Sequence, residues 1–201
     1  MANFLYDKAR EEFLTGALSW TSDGIKTVLV DDAVASVPAQ DAASPIYSNI
    51  SGGVVIDAGL IPGRAATGGV ADGDDIILTS VTGSSVESVY VYRDSTPTWA
   101  RSTTTATVTA NRHNLANGAT VNVTTSSDVA AITVSAKTIT VTGTNTFTFA
   151  CLDAGATSGT LTMTEYAQPF RLIAHLDAAV TPNGGDVVIS WSNTANRIFK
   201  L

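Results

Sequence analysis

Thr138-Ile139-Thr140-Val141-Thr142 and Thr146-Phe147-Thr148-Phe149 alternate a hydroxyl with an apolar side chain at every step, so a strand built from either puts threonine on one face and bulk on the other. The pattern spreads outward: from residue 102 to 164, 19 of 63 positions are threonine, and only Arg112, Asp128, Lys137 and Asp153 carry charge. This stretch predicts nearly pure β-structure, with strands near 103–110, 119–124, 130–135, 137–142, 145–151 and 159–164. Two proline-containing turns flank it, Asp94-Ser95-Thr96-Pro97 and Glu165-Tyr166-Ala167-Gln168-Pro169. The arrangement predicts a domain at 97–167 inserted into a discontinuous core made of 1–96 and 168–201.

The chain has 201 residues, 44% hydrophobic and 14% charged, with a net charge of −7. An acidic chain lacks the basic footprint that neutralises phosphates, so groove binding to nucleic acid is not expected. Its longest apolar runs, such as Val54 to Ile56 and Ile76 to Leu78, fall far short of the roughly 20 residues that span a bilayer; neither a signal peptide nor a membrane segment is expected. The single cysteine, Cys151, excludes an internal disulfide and reads as a reduced, buried thiol beside Phe147 and Phe149.

Outside the threonine-rich block, Leu5, Ala9 and Phe13 recur at helical spacing, with Tyr6 and Leu14 widening the stripe and Gly16 supplying a stop. Asp7, Lys8, Arg10, Glu11 and Glu12 lie opposite, which predicts one amphipathic helix over 3–15. Strands are expected at 25–30, 54–60, 75–81 and 86–93, bounded by Gly, Asp, Asn or Ser clusters. Residues 31–50, with Pro38 and Pro45, read as a long loop with a helical turn near Ile46-Tyr47, of the kind that meets a partner. Residues 170–176 and 187–191 read as the two strands of a hairpin closed across Thr181-Pro182-Asn183-Gly184-Gly185-Asp186. The apolar end Arg197-Ile198-Phe199-Lys200-Leu201 is expected to dock, on the same chain or on another.

Candidate chemistry is sparse. His113 and His175 fall in different proposed units, and each reads as structural. Gly52-Gly53, Gly68-Gly69 and Gly184-Gly185 sit in turns rather than ahead of helices, so no phosphate cradle is predicted. Asp72-Gly73-Asp74-Asp75 groups carboxylates but lacks the regular spacing and distant glutamate of a calcium loop. Neither a cofactor nor a metal is expected, and the chain reads as no enzyme. A glycan-binding reading would use Trp99, Tyr166 or Trp191 as stacking platforms, although Trp191 alternates with Ile189 and Val187 as a core residue would.

The two ends, Met1-Ala2-Asn3-Phe4-Leu5-Tyr6-Asp7-Lys8-Ala9-Arg10-Glu11-Glu12-Phe13-Leu14 with Ile25 to Asp31, and Val180-Thr181-Pro182-Asn183-Gly184-Gly185-Asp186 with Asn196-Arg197-Ile198-Phe199-Lys200-Leu201, resemble a family of small structural proteins of tailed bacteriophages. The resemblance covers 1–95 and 168–201; members of that family run from the strand around Tyr90-Val91-Tyr92 almost directly into the strand around Leu172-Ile173-Ala174, without the 102–164 block. It implies an all-β protein with a jelly-roll-like or β-sandwich core, a short N-terminal helix and, in the block, a module similar to small immunoglobulin-like domains. It further implies a capsid decoration or cement protein on the outer surface of the head, made in the bacterial cytoplasm. The partner would be the major capsid protein, with the chain itself a homo-oligomer, dimer or trimer, and with no nucleic acid or membrane partner. Contact residues are then expected in the helix, the 31–50 loop and the tail: Phe4, Tyr6, Arg10, Tyr47, Arg197, Phe199 and Leu201. A tail or baseplate component is the alternative, with a host-glycan-binding module behind it.

Overall fold

The computed structural model describes residues 3–126, 132–166, 168–192 and 198–201. In chain order the elements are β1 Phe4–Leu5, α1 Asp7–Leu14, β2 Gly24–Val30, two 3-10 turns at Tyr47–Asn49 and Ser51–Gly53, β3 Val54–Leu60, β4 Ala65–Thr67, β5 Val70–Asp72, β6 Ile76–Leu78 and β7 Val86–Asp94. They continue with β8 Thr98–Ser102, β9 Thr105–Thr109, β10 Thr120–Val121, β11 Val123–Ser126, β12 Lys137–Thr138, β13 Thr140–Gly143, β14 Thr146–Ala150, β15 Ser158–Met163, β16 Leu172–Val180, β17 Val187–Ile189 and β18 Phe199–Lys200. The fold is all-β, and every pairing between these strands is antiparallel. The chain divides into two compact units, Met1–Asp94 with Phe170–Leu201, and Ser95–Pro169.

The first unit is built on a five-stranded sheet ordered β1-β16-β7-β2-β3. Its middle strands are apolar on both faces: Val28, Leu29, Val30, Tyr90, Val91, Leu172 and Ile173 are all buried, as sheets covered on two sides require. Two small sheets, β17-β6 and β18-β5-β4, add Ile76, Ile189, Ala71, Ile198 and Phe199 to the same apolar core. The strands expected at 25–30, 54–60 and 86–93 are found within a residue of those limits, while the run at 75–81 shortens to β6.

Three expectations are corrected here. The N-terminal segment is not helical from residue 3, because Phe4 and Leu5 pair with His175 and Ala174 along the rim of β16, and Tyr6 stays extended with ψ 134°. The apolar stripe also turns relative to its expected facing: Leu14 is 83% exposed, whereas Glu12, expected on the polar side, is buried. The hairpin across 181–186 does not form. β16 takes β7 on one side and, at Ala174 and His175 alone, β1 on the other, while β17 pairs with β6, Val187 with Leu78, Val188 with Ile77 and Ile189 with Ile76. The turn itself is tied to the β6–β7 connection: Val81 N donates to Gly185 O at 2.9 Å, Gly184 N donates to Val81 O at 2.8 Å, and Ser80 N donates to Asp186 Oδ1 at 3.1 Å.

The second unit is a six-stranded sheet, β11-β15-β8-β9-β14-β13, with a β10-β12 pair beside it. Trp99, Ala106, Val108, Phe147, Phe149, Leu161 and Met163 point to a common core, closed by Val121, Ile132 and Ile139. The other face is hydroxyl-rich: Thr98 lies opposite Thr109 and Thr160, and Thr109 opposite Thr146, in one row across four strands. Of the strand expected at 130–135, residues 130 and 131 lie outside the described residues, and 133–135 are irregular; Val134 O accepts a 2.9 Å bond from Val123 N. Cys151 is half-buried rather than fully enclosed, and partial burial raises its thiol pKa. At the unit's two ends, Ser95 Oγ donates to Pro169 O at 3.0 Å, which sets the two proline-containing turns side by side.

Glu165 closes this unit electrostatically. Burial alone would push its carboxyl pKa up, but Asn122 donates to it twice, from N at 2.9 Å and from Nδ2 at 2.6 Å, and the net effect is downward. A carboxyl whose folded pKa is depressed stabilises the fold above its unfolded value of about 4.3, and that stability is lost as pH falls through the lower folded value. We expect the second unit to lose stability on acidification below that range, and Glu165→Gln to flatten the dependence; urea midpoints measured at a series of acidic pH values check it, and an equal slope in the variant would contradict it. Because Leu172 faces Tyr92 and Arg93 N donates to Arg171 O at 2.8 Å, β7 and β16 are neighbours immediately before and after the second unit. Replacing 95–169 by a short Gly-Ser turn is therefore expected to leave a cooperatively melting first unit; loss of the transition in near-ultraviolet circular dichroism would contradict this.

Candidate functional site

Segments from both ends of the chain meet in the first unit. β1 is held on β16 by its two-residue ladder, by Tyr6 N donating to Ile173 O at 3.0 Å and by Asp177 N donating to Asn3 Oδ1 at 2.7 Å. α1 follows at once, with Asp7 in its first turn where the helix dipole favours an acid; Thr15 Oγ1 donates to Glu11 O at 2.9 Å at its end, and Gly16 leaves the helix at φ 71°. β18 reaches the same place by pairing Phe199 with Ala71 and Lys200 with Val70, while Phe199 packs on Trp20 and Phe13 at 5.1 and 5.7 Å between centroids. Between them lies a hollow of about 230 Å³, lined by Asn3, Phe4, Leu5, Arg10, Ala174, Leu176, Ile198, Phe199 and Lys200. Its lining mixes apolar side chains with polar groups. Its charges are Arg10, which pairs with Asp7 at 3.2 Å, and Lys200, which has no ion pair among the described residues.

Beneath α1 a buried ion network fixes the helix to the sheet. Arg171 Nε donates to Glu12 Oε1 at 2.9 Å, Arg93 Nη2 lies 3.7 Å from Glu12 Oε2, and Arg93 Nη1 lies 3.9 Å from Asp23 Oδ2. The guanidinium groups have further acceptors: Ala17 O for Arg93, Pro45 O for Arg171. Two acids and two bases, all at most 11% exposed as side chains, thus neutralise one another. Removing one partner of such a set leaves an uncompensated buried charge.

A second polar cluster contains the residue types of a hydrolase triad. Ser88 Oγ lies 2.7 Å from His175 Nε2 and makes a very short hydrogen bond to Asp32, whose other oxygen accepts from Tyr90 OH at 3.2 Å. The arrangement is not that of an activated nucleophile: the carboxylate sits on the serine side of the imidazole, 3.7 Å from Nε2, and among the described residues Nδ1 has no partner to orient it. Ser88 and His175 are both fully buried, beyond the reach of any substrate. Burial, with Asp32 adding to it, raises the pKa of Tyr90 and of Tyr6 well above the ordinary phenol value. Sequence reading missed this cluster, since positions 32, 88 and 175 share no motif; the polar His175 inside an otherwise apolar strand was its only trace.

The expected contact residues separate. Phe4, Arg10 and Phe199 converge on the hollow. Leu201 is half exposed nearby in sequence, its N donating to Gly69 O at 2.9 Å. Tyr6 is fully buried, with its hydroxyl 3.4 Å from Pro38 O, and is a core residue rather than a surface contact. Phe199 likewise docks on its own chain and is buried. Tyr47 packs on Tyr92 at 4.6 Å, apart from the hollow, in a loop laced to its own sheet by Leu172 N donating to Pro45 O and Tyr47 N to Phe170 O. Arg197 lies outside the described residues.

The remaining candidates are structural. His113 accepts from Leu115 N at Nδ1 and donates from Nε2 to Gly143 O, at 3.0 and 3.1 Å. The Asp72–Asp75 run receives Trp20 Nε1 on Asp72 O, and Trp191 Nε1 and N on Asp74 O and Asp75 Oδ1. Among the described residues no group of three or more His, Cys, Asp or Glu is placed to hold a metal. Trp99 and Trp191 are 3% and 7% exposed, so neither is a stacking platform for sugars, and Tyr166 is half-buried with its hydroxyl on Asn111 O. No helix among the described residues is long and apolar enough to cross a membrane. No family model, no curated protein and no solved structure matches this chain.

We expect Glu12→Gln to destabilise the first unit by about 3–5 kcal/mol, because two guanidinium groups stay buried beside it. Arg10→Ala, an exposed change, is expected to stay within about 0.5 kcal/mol. Urea denaturation of both variants checks the contrast, and a small loss for Glu12→Gln would contradict it.

Proposed function

We propose that this chain is a non-enzymatic structural component of a tailed-phage virion, a decoration or cement protein that binds the outside of the head through its first unit and carries the threonine-rich second unit outward. The observation that carries the reading is the convergence of β1, α1 and β18: the end segments whose sequence resembles phage structural proteins build one hollow and its rim. Charge supports the exterior placement, since a chain of net −7 gains nothing by lying against packaged DNA.

The sheet edges suit life in a crowded lattice. β3 pairs with β2 through two register shifts, β11 and β13 each carry one, and β1 is only two residues long. Shifts and short edges discourage strand-to-strand addition, so many copies can sit close together without fusing their sheets. Contact is then made through side chains at chosen faces. The major capsid protein is the partner this reading names, and the chain would act as a dimer or trimer on it.

Mixing the purified chain with heads assembled without it, and imaging the particles by cryo-electron microscopy, tests the proposal. Density at positions repeated with the capsid lattice, with a knob outside the shell, is expected. Copies confined to the tail would overturn the head placement in favour of a tail or baseplate component, and bare particles would overturn the virion role.

A further inference from the structure

We infer that the hollow bounded by β1, α1 and β18 receives an apolar side chain flanked by a carboxylate, presented by an acidic segment of a partner polypeptide. Its volume of about 230 Å³ is below the roughly 300–1,000 Å³ of ordinary small-molecule sites and suits one inserted side chain. Leu5, Ala174, Leu176 and Phe199 supply the apolar part of a lining that is otherwise polar. Arg10 and Lys200 give the rim a local positive sign in a chain of net −7, the complementarity that selects an acidic partner.

The rim groups are available for the purpose. Lys200 has no ion pair among the described residues, and the Arg10 contact to Asp7 is an exposed pair of the kind that contributes little and exchanges readily for an incoming carboxylate. Asn3 uses its Oδ1 to accept from Asp177 N, which leaves its NH2 group as a donor for a peptide carbonyl. The walls need little rearrangement on binding, because Leu5, Ala174 and Phe199 are already fixed in the core. The inference rests on the proposed function only for the identity of the partner, a segment of the shell protein; the chemistry of the hollow stands by itself.

The full chain, labelled with nitrogen-15, is titrated with the blocked dipeptide N-acetyl-leucyl-aspartate, with N-acetyl-leucinamide as the uncharged control. Saturable shifts at the amides of Leu5, Ala174 and Phe199 are expected, weaker by about tenfold or more for the control and for Lys200→Glu, whose melting temperature should match the parent. Absence of saturation, equal binding of the control, or undiminished binding by Lys200→Glu overturns the inference. Lys200→Glu protein is also mixed with the undecorated heads. If it decorates them as fully as the parent, the inference falls while the virion role stands. If the parent takes up the dipeptide yet leaves heads bare, the virion role falls while the hollow keeps its ligand class.

Discussion

The carboxylate of Glu12 between Arg93 and Arg171 is the constraint on which the first unit depends. Arg93 is the last residue but one of β7 and Arg171 immediately precedes β16, so the two cations stand where the chain leaves the first unit and where it returns. Glu12 comes from α1, Asp23 from the turn ahead of β2, and Arg171 also holds Pro45 O of the long 31–50 loop. Helix, loop and the ends of the two strands next to the second unit are thus fixed by one set of charges. Such a set is a specificity device before it is a source of stability: desolvating each ion costs several kcal/mol, and only a geometry that pairs them all recovers it. A register slip of β16 against β7 would carry Glu12, tied to β16 through β1, away from Arg93, so the network favours the observed pairing.

How far the chain announces this arrangement depends on whether the signal is local. Alternation in Thr146 to Phe149 and Thr105 to Thr109 is written within each segment, and those strands appear where the pattern puts them. β1 has no such signal, because a two-residue strand is defined by the neighbour it borrows, and Phe4-Leu5 reads as helix until β16 offers its edge. The turn chemistry of Pro182 to Asp186 was legible, but its partner was not: Gly184 and Gly185 bond to Val81, about a hundred residues away, and that contact decides between β16 and β6. The ion network was illegible for the same reason. Glu12 and Arg171 are 159 positions apart, and on a helical wheel Glu12 belongs with the polar residues until its partners are known. Of the contact residues, Arg10 was legible as an exposed cation, whereas Tyr6 and Phe199 carry the same aromatic signal in a core as on a surface.

The second unit shows a different economy. With its charges few and its Trp99 ring inside, it offers water a face of threonine and serine from six strands, among them Thr107, Thr140, Ser158 and Thr162. Hydroxyls satisfy one another there, Thr142 with Thr146 at 3.0 Å and Thr124 with Thr162 at 2.9 Å, which lowers the demand for an outside partner. Such a face is soluble without charge, and β-branched threonine holds the sheet without apolar exposure. It is a surface suited to being displayed, whereas the hollow of the first unit is suited to gripping.

The hollow gains its definition from the buried polar seam behind it. Phe4 stacks on His175 with centroids 4.9 Å apart and planes 12° from parallel, and His175 is fixed by Ser88, itself fixed by Asp32. Asp32 lies just beyond β2, Ser88 on β7 and His175 on β16, so the ring that forms one wall of the hollow is referenced through the imidazole to three separate parts of the first unit. On a short edge strand Phe4 would otherwise be free to swing; the seam restricts it. A partner side chain entering the hollow therefore meets a wall already ordered, and less of its binding energy is spent on ordering that ring. In this view the serine, histidine and aspartate, useless for catalysis in their observed order, hold a binding surface in shape.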